Sequence, residues 1–574
     1  MKKLLVFLKD YKKETLLGPL FKLLEASFEL MVPLVIASMI DKGIGSGDKS
    51  HVINMCLILI LLCIVGFVSA VTAQFFAAKA AAGFAKKVKR ALFDNIQKLS
   101  YTDIDRIGTS AMITRMTSDI NQVQQGVNLT IRLLLRSPFV VLGAMVMAFT
   151  INVRMALIFL VTIVLLSLVV GLIMRWSIPR YGQIQGGLDG LLNLTRENHT
   201  GVRVIRAFGL EEKEKESFNG RNEALMKLQT FVGTITALMN PVTYAILNLA
   251  IAFLIYRGSF HVEAGDLTQG QVVALYNYMS QILVELIKFA NLILTVTKAI
   301  ASGNRVEEML ELRSSMEDGK VTEFKDTKEH IVFKNASMRY QGDAEDSLEG
   351  LDVTIMRGEK IGVIGGTGSG KTTLINLIPR FYDARQGEVI LDGRNVKDYR
   401  LEALRERIGV VPQKAVLFHG SIRDNIRWGK NDATDEEIIE ALTIAQAKEI
   451  VESKPKGLDY EVSQGGKNFS GGQKQRLTIA RALVRKPEIL ILDDSASALD
   501  YLTDKKLREA IAAIDNPPTT FIVSQRASSV MGCDKIIVLD DGKVAGIGTH
   551  DELLESCETY REIYDSQYKK EGAV

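Results

Sequence analysis

The sequence predicts an α-helical transmembrane bundle of six spans followed by an α/β domain built around a phosphate-binding loop. Three observations predict it. The apolar residues of this 574-residue chain crowd into its first half, in stretches near the ~20 residues a bilayer requires. From about residue 330, short β-branched runs alternate with amphipathic helical patterns, as in a mostly parallel sheet. One of those runs opens into a glycine-rich loop and then a helix, at 360–378.

A chain of this length exceeds a single core. Its charge is nearly balanced at +3, and no basic, aromatic surface marks it for nucleic acid. Cys56 and Cys63 lie on one predicted membrane helix where they cannot bridge, so with Cys533 and Cys557 they imply no disulfide framework. The N-terminus, MKKLLVFLKDYKKETLL, has basic and apolar residues but no long apolar core or small-residue cleavage site, and reads as an interfacial amphipathic helix.

The spans fall at about 16–40, 52–78, 127–151, 155–175, 231–256 and 271–296. The first carries Lys22, Glu25 and Glu29, and the sixth Glu285 and Lys288, so neither is purely lipid-facing. Residues 79–125 and 176–230 are long and basic, whereas DKGIGSGDKS after span one is short and neutral. The positive-inside rule then puts both long connections and both termini in the cytoplasm, with helices continuing beyond the membrane. Each long connection contains a glycine-bearing polar break, at 101–121 and 196–218, that suits either a short transverse helix or a solvated hairpin.

Residues 299–329 are charged, lack long apolar runs and form the link to the α/β domain. There, KIGVIGGTGSGKTTLINLI places Gly365, Gly366, Thr367, Gly368, Ser369, Gly370, Lys371 and Thr372 between strand and helix, matching G-x-x-x-x-G-K-[ST] in its required context. Glycines let backbone N–H groups converge on phosphate oxygens, the helix presents its positive end, and Lys371 adds a cation. Thr372 offers a hydroxyl to Mg2+, and Thr373 follows as a further ATP-binding residue. A second apolar run, PEILILDD, ends in Asp493, placed to bind the Mg2+ shell. Between them, Ser470, Gly471, Gly472 and Gln473 open an amphipathic helix with a second anion-attracting N-terminus.

Six spans, a phosphate loop, an SGGQ helix and a strand ending in Asp493 resemble one half of an ATP-binding cassette (ABC) exporter, over nearly the whole chain. The resemblance implies a domain-swapped membrane bundle joined to a P-loop ATPase domain. It divides the chain into a membrane domain (1–310) with coupling helices at about 101–112 and 198–210, a linker (311–329) and a cassette domain (330–574). It implies a dimer that sandwiches two ATPs, each between one chain's phosphate loop and the other's SGGQ. Further matched positions are Tyr340, as the aromatic that stacks on adenine, and Gln413, as the residue that reaches Mg2+ and senses the γ-phosphate. Ser497, Ala498, Leu499 and Asp500 match the segment that crosses the dimer interface. Taken alone, Tyr340 reads as a packing tyrosine more readily than as an adenine contact.

Three positions depart from the family pattern. Asp494 stands where the catalytic glutamate is expected, one methylene shorter, and a general base must lie within about 2.6–3.2 Å of its water. Gln525 stands at the switch histidine that contacts the γ-phosphate; an amide donates a hydrogen bond but cannot become cationic. Ser463 and Gln464 replace a glycine–glutamate pair. These catalytic positions are therefore degenerate. The pattern resembles the degenerate-site subunit of bacterial heterodimeric multidrug exporters and implies a partner half-transporter that keeps its catalytic glutamate. The expected activity is ATP-driven export of hydrophobic or amphipathic compounds across a bacterial cytoplasmic membrane. A homodimer with two slow sites and a non-transporting sensor module are the alternatives. Glu25, Glu29 and Glu285 are candidate substrate-cavity charges, against the alternative that Glu285 and Lys288 satisfy each other.

Overall fold

The computed structural model describes residues 1, 3–495 and 497–568. They form two compact units, one of Met1–Gln97 and Ser110–Leu312, the other of Lys98–Thr109 with the chain from Arg313 onward.

In the first unit, α1 (Lys3–Ile44), α2 (Lys49–Ile96), α4 (Thr109–Ile151), α5 (Val153–Thr200), α7 (Glu211–Glu263) and α8 (Gln269–Glu311) are each long and apolar enough to cross a membrane. Short helices α3 (Tyr101–Ile107) and α6 (Val202–Ala207) lie in the two long connections, and Gly108, at φ +79°, ends α3 short of residue 112. At 48 residues, α2 and α5 each extend about 72 Å, more than twice a hydrocarbon core of about 30 Å. Prolines explain two interruptions. Pro138 has no N–H for the carbonyl of Leu134, and α4 opens at residues 134–135; Pro241 does the same to Ala237, and α7 opens at Leu238.

The N-terminal segment forms a 3₁₀ stretch, Lys3–Tyr11, that runs directly into the first span and docks on α8. The Met1 amino group bonds Asn304 at 2.9 Å and pairs with Glu307, the Lys3 N–H donates to Glu307 at 2.9 Å, and Leu4 is buried. At this same C-terminal end of α8, the Asn95 amide donates to the orphan carbonyls of Met309 and Leu312.

The second unit contains an antiparallel sheet of β1 (Glu329–Met338), β2 (Leu348–Met356), β4 (Gln386–Leu391) and β5 (Arg394–Asn395), in the order β2-β1-β4-β5. A six-stranded sheet of β3 (Lys360–Gly365), β6 (Ile408–Val411), β9 (Ile489–Asp493), β10 (Thr519–Ser524), β11 (Lys535–Asp540) and β12 (Lys543–Gly548) runs β12-β11-β3-β10-β9-β6. All its pairings are parallel except β11 with β12. A short pair, β7 (Gly420–Ser421) and β8 (Glu461–Val462), stands apart. Alternate residues of the large sheet enter two cores: Leu490, Leu492, Ile522, Ile536 and Val538 one, Ile489, Ile491, Phe521, Val523 and Ile537 the other. This two-sided burial is why these strands read as continuous apolar runs. The helices that bear on the site are α9 (Lys371–Leu377), α10 (Gly471–Leu483), α11 (Tyr501–Ala512), α12 (Ala527–Val530) and α13 (Glu558–Tyr568).

The segment after α8 lies on the second unit rather than hanging free. Phe324 stacks on Tyr399 at 4.3 Å with the Arg407 guanidinium 4.0 Å from its ring, and Val321 bridges Tyr399 through the backbone.

Candidate nucleotide site

Four neighbouring parallel strands, in the order β3-β10-β9-β6, release their C-terminal ends at one edge of the large sheet, where open α/β sheets bind ligands. The phosphate loop follows β3, Gln525 follows β10, Asp493 ends β9 and Gln413 comes two residues after β6. Register fixes their adjacency: Asp493 pairs with Val523, and Ser524 with Ile364.

Two loop glycines are required by space. A Cβ on Gly365 would lie 2.1 Å from the carbonyl oxygen of Leu539, and one on Gly370, at φ +94°, 2.4 Å from that of Ser347. The Lys371 ammonium bonds the Gly365 carbonyl at 2.9 Å and also that of Gly366; burial pushes its pKa down, against Asp494 and Asp493, which hold it up. The Thr372 hydroxyl donates to both carboxylate oxygens of Asp493, at 3.3 and 3.4 Å. Asp493 is 7% exposed, and burial, reinforced by Asp494, pushes its carboxyl above the usual range. A hydroxyl facing a desolvated carboxylate is an all-oxygen donor set that fits Mg2+, whose charge would offset the desolvation. The Gln413 amide donates to Asp494 at 3.3 Å, which joins these two candidate residues at the edge that also holds Thr372 and Asp493.

Asp494 itself has φ +44°, a left-handed conformation in which aspartate is better tolerated than glutamate. Its N–H donates to the Val523 carbonyl at 3.0 Å, and its own carbonyl accepts from the Ser497 hydroxyl at 2.8 Å. The Ser497–Asp500 segment is thereby tied to the β9 end. Leu499 is buried, and Asp500 caps α11 by accepting from Thr503 N–H at 2.9 Å. Ser470 caps α10 in a reciprocal box: its hydroxyl accepts from Gln473 N–H, and the Gln473 side chain accepts from Ser470 N–H at 3.0 Å. Gly472 lies so close to the Ala498 carbonyl that a Cβ would sit 2.9 Å from it, whereas Gly471 faces open space. Among the described residues, no hydrogen bond joins the 470–473 turn to this chain's phosphate loop. Ser463 is occupied with Asn468, its hydroxyl 3.0 Å from that amide oxygen, and Gln464 opens a 3₁₀ turn.

Tyr340 packs beside the second core, and the Thr373 hydroxyl donates to its OH at 3.2 Å. Sequence reasoning missed its neighbour Tyr382, whose ring meets Tyr340 edge-on at 5.1 Å. The Tyr382 hydroxyl donates to Asp105 of α3 at 2.6 Å; burial, with Asp105, pushes its pKa up, so it stays a donor. Tyr101 lies 4.8 Å from Phe381. The aromatic pair in RFYDARQ is the only sequence signal, and it does not name a partner.

In the first unit, Glu285 is 2% exposed and holds three partners: Arg136 at 2.5 Å, Ser137 at 2.8 Å and Lys288 at 2.8 Å. Arg136 also bonds Glu29 at 2.6 Å and lies 3.9 Å from Glu25, which Lys22 pairs at 2.5 Å. Glu285 thus lines no open cavity; Lys288 does satisfy it, but so does Arg136, which sequence reasoning overlooked. Glu29 keeps 41% of its side chain exposed.

Against known proteins, residues 15–286 match the family described as the ABC transporter transmembrane region, and residues 348–497 the family described as ABC transporter. The chain is 37% identical over 574 residues to the ABC transporter ATP-binding protein YfiB of Bacillus subtilis, covering all of both chains. It is 32% identical to YgaD of Bacillus subtilis, named for multidrug export, covering 99% of this chain and 98% of the relative. It is 30% identical to an ATP-dependent lipid A-core flippase of Syntrophus aciditrophicus, covering 84% and 80%. A solved bacterial Atm1-family ABC exporter with ATP bound shares the fold, at TM-score 0.80 and 22% identity, covering 98% and 99%.

Proposed function

The chain belongs to the ABC transporter family, with an N-terminal transmembrane domain and a C-terminal ABC ATPase domain, and from that premise we propose that it is one half of a heterodimeric exporter whose own ATP site is degenerate. ATP hydrolysis coupled to transport is the activity of the family. The finer reading is that this chain's phosphate loop heads the slow site, while its Ser470–Gln473 turn completes the site that turns over on a second, different half-transporter. Both termini lie in the cytoplasm, and the cargo is a hydrophobic or amphipathic compound of the drug or lipid class.

One observation carries this reading. Asp494 and Gln525, the two departures facing the γ-phosphate, leave adjacent strand ends, while Lys371, Thr372 and Asp493 keep their places and the SGGQ turn keeps its capped geometry. Nucleotide binding is thus preserved where base catalysis is weakened. In this site the loop amides and Lys371 hold the phosphates, and Thr372, Asp493 and Gln413 would hold Mg2+. Mg2+ held there would supply charge neutralisation at the phosphates. Asp494 presents its carboxylate short of the attacking water, and Gln525 donates one neutral hydrogen bond where a histidine would add charge.

Restoring both groups in the assembled transporter, Asp494→Glu with Gln525→His, is expected to raise ATPase activity about tenfold, less than the 10²–10⁴ typical of a positioned general base because Asp494 already supplies a carboxylate. The purified chain alone is expected to hydrolyse ATP poorly. Robust ATPase and transport by this chain alone would instead establish the homodimer.

A further inference from the structure

Helix α13 packs into the α/β unit through Tyr560, which is fully buried and whose hydroxyl meets His550 Nδ1 at 2.8 Å. In its last turn the Gln567 side chain makes two bonds to one short stretch of backbone. Its Nε2 donates to the carbonyl of Gln525 at 2.8 Å, and its Oε1 accepts from the N–H of Ala527 at 2.9 Å. These peptide groups flank the turn between β10 and α12, and the remaining N–H there, of Arg526, donates to the Ser524 hydroxyl at 3.0 Å. The Gln525 side chain is exposed. Its backbone is clamped, while among the described residues no hydrogen bond holds its side-chain amide.

We infer that Gln567 is a positioning residue for the nucleotide site: by gripping the peptides on either side of Arg526 it sets the direction in which Gln525 presents its amide to the γ-phosphate. The inference rests on the reading that Gln525 faces that phosphate. A hydrogen bond weakens steeply with misalignment, and site groups need placement within about 0.5 Å, so an amide on an otherwise open turn needs such a brace. Only a primary amide of this length supplies a donor and an acceptor at once. Glutamate keeps the acceptor for Ala527 but sets an oxygen against the Gln525 carbonyl, and leucine loses both bonds. The C-terminal helix, 40 residues further along the chain, thereby becomes part of the γ-phosphate sensor.

The test is the ratio of ATP to ADP affinity, measured with fluorescent trinitrophenyl nucleotides on the full-length chain in lipid nanodiscs, since only ATP has a γ-phosphate. Gln525→Ala and Gln567→Leu are each expected to cut the ATP-over-ADP preference by a similar factor, on the order of tenfold for a bond to a charged group. The double variant is expected to lose no more than either single one, with ADP affinity unchanged throughout and Gln567→Glu in between. A Gln567→Leu or Gln567→Glu variant that melts earlier yet keeps the wild-type ratio would show a merely structural clasp and overturn the inference. So would losses that simply multiply in the double variant. If Gln525→Ala itself leaves the ratio unchanged, the γ-phosphate reading of Gln525 fails and the inference fails with it.

Discussion

His330 shows how a single buried residue sets a condition on stability. It is 1% exposed, its Nδ1 lies 2.7 Å from the Thr519 hydroxyl, and its Nε2 has no hydrogen-bond partner. Burial, with the nearby Arg357, lowers its pKa to about 4. His330, Asp392 and Glu488 lie close enough to hold a metal ion, but Arg357 and Arg407 already engage both carboxylates, so the cluster is a charge-balanced brace. The native state therefore keeps His330 neutral while the unfolded chain protonates it at its ordinary value near 6.5. Because the unfolded state binds the extra proton, this residue's contribution is fully present above pH 6.5 and is lost as pH falls toward 4. The loss is about 3 kcal/mol, from 1.36 kcal/mol per pKa unit. Thermal unfolding of the solubilised chain is expected to shift downward between pH 6.5 and 4.5, and His330→Asn, which cannot titrate, is expected to shift less; equal pH slopes would refute the assignment.

Among the elements, α3 is the one whose environment the sequence describes least. Its N-terminus is readable, because Ser100 and Asp103 form a capping box over adjacent residues. Its docking is not, because Tyr382 and Asp105 are separated by 277 residues and neither belongs to a recurring pattern. Asp103 also accepts the Ser315 N–H at 2.9 Å, so α3 is held at both its cap and its middle; those bonds keep the Asp103 carboxyl low even though burial pushes it up. The Tyr382 contact links α3 to the ring of Tyr340 in one step. Tyr382→Phe keeps the ring packing and removes only the bond to Asp105, at a cost of about 1 kcal/mol given the partial exposure of the pair. Faster amide hydrogen exchange in residues 101–107 is expected, with nucleotide affinity unchanged; unaltered exchange would show that the ring contacts alone hold the helix. The strands and the phosphate loop were legible for the opposite reason: their chemistry is contiguous, and two-sided burial writes itself as an apolar run.

At the scale of the whole molecule, the six spans were visible in hydropathy, but the charges that join them were not. Arg136 is 107 residues from Glu29 and 149 from Glu285, and in sequence it is one basic residue inside the stretch read as the third span, 127–151. The break caused by Pro138 brings it inward, where it joins α1, α4 and α8 with Lys22, Glu25, Glu29, Glu285 and Lys288. Three cations face three carboxylates, so the group is neutral and each member depends on the others. Removing one side of a buried pair strands the other, at about 3–5 kcal/mol, whereas removing both with apolar or neutral groups of similar volume is often nearly neutral. Arg136→Met is therefore expected to destabilise the solubilised chain strongly, and Arg136→Met with Glu285→Gln to recover part of the loss. Glu285→Gln alone is expected to cost less than Arg136→Met, since the amide can still accept from Ser137 and Arg136 keeps Glu29. Thermal melting of the three variants measures this directly: a double variant as unstable as the sum of the singles would mean that Arg136 and Glu285 act independently, and that the contact between them does not hold the spans together.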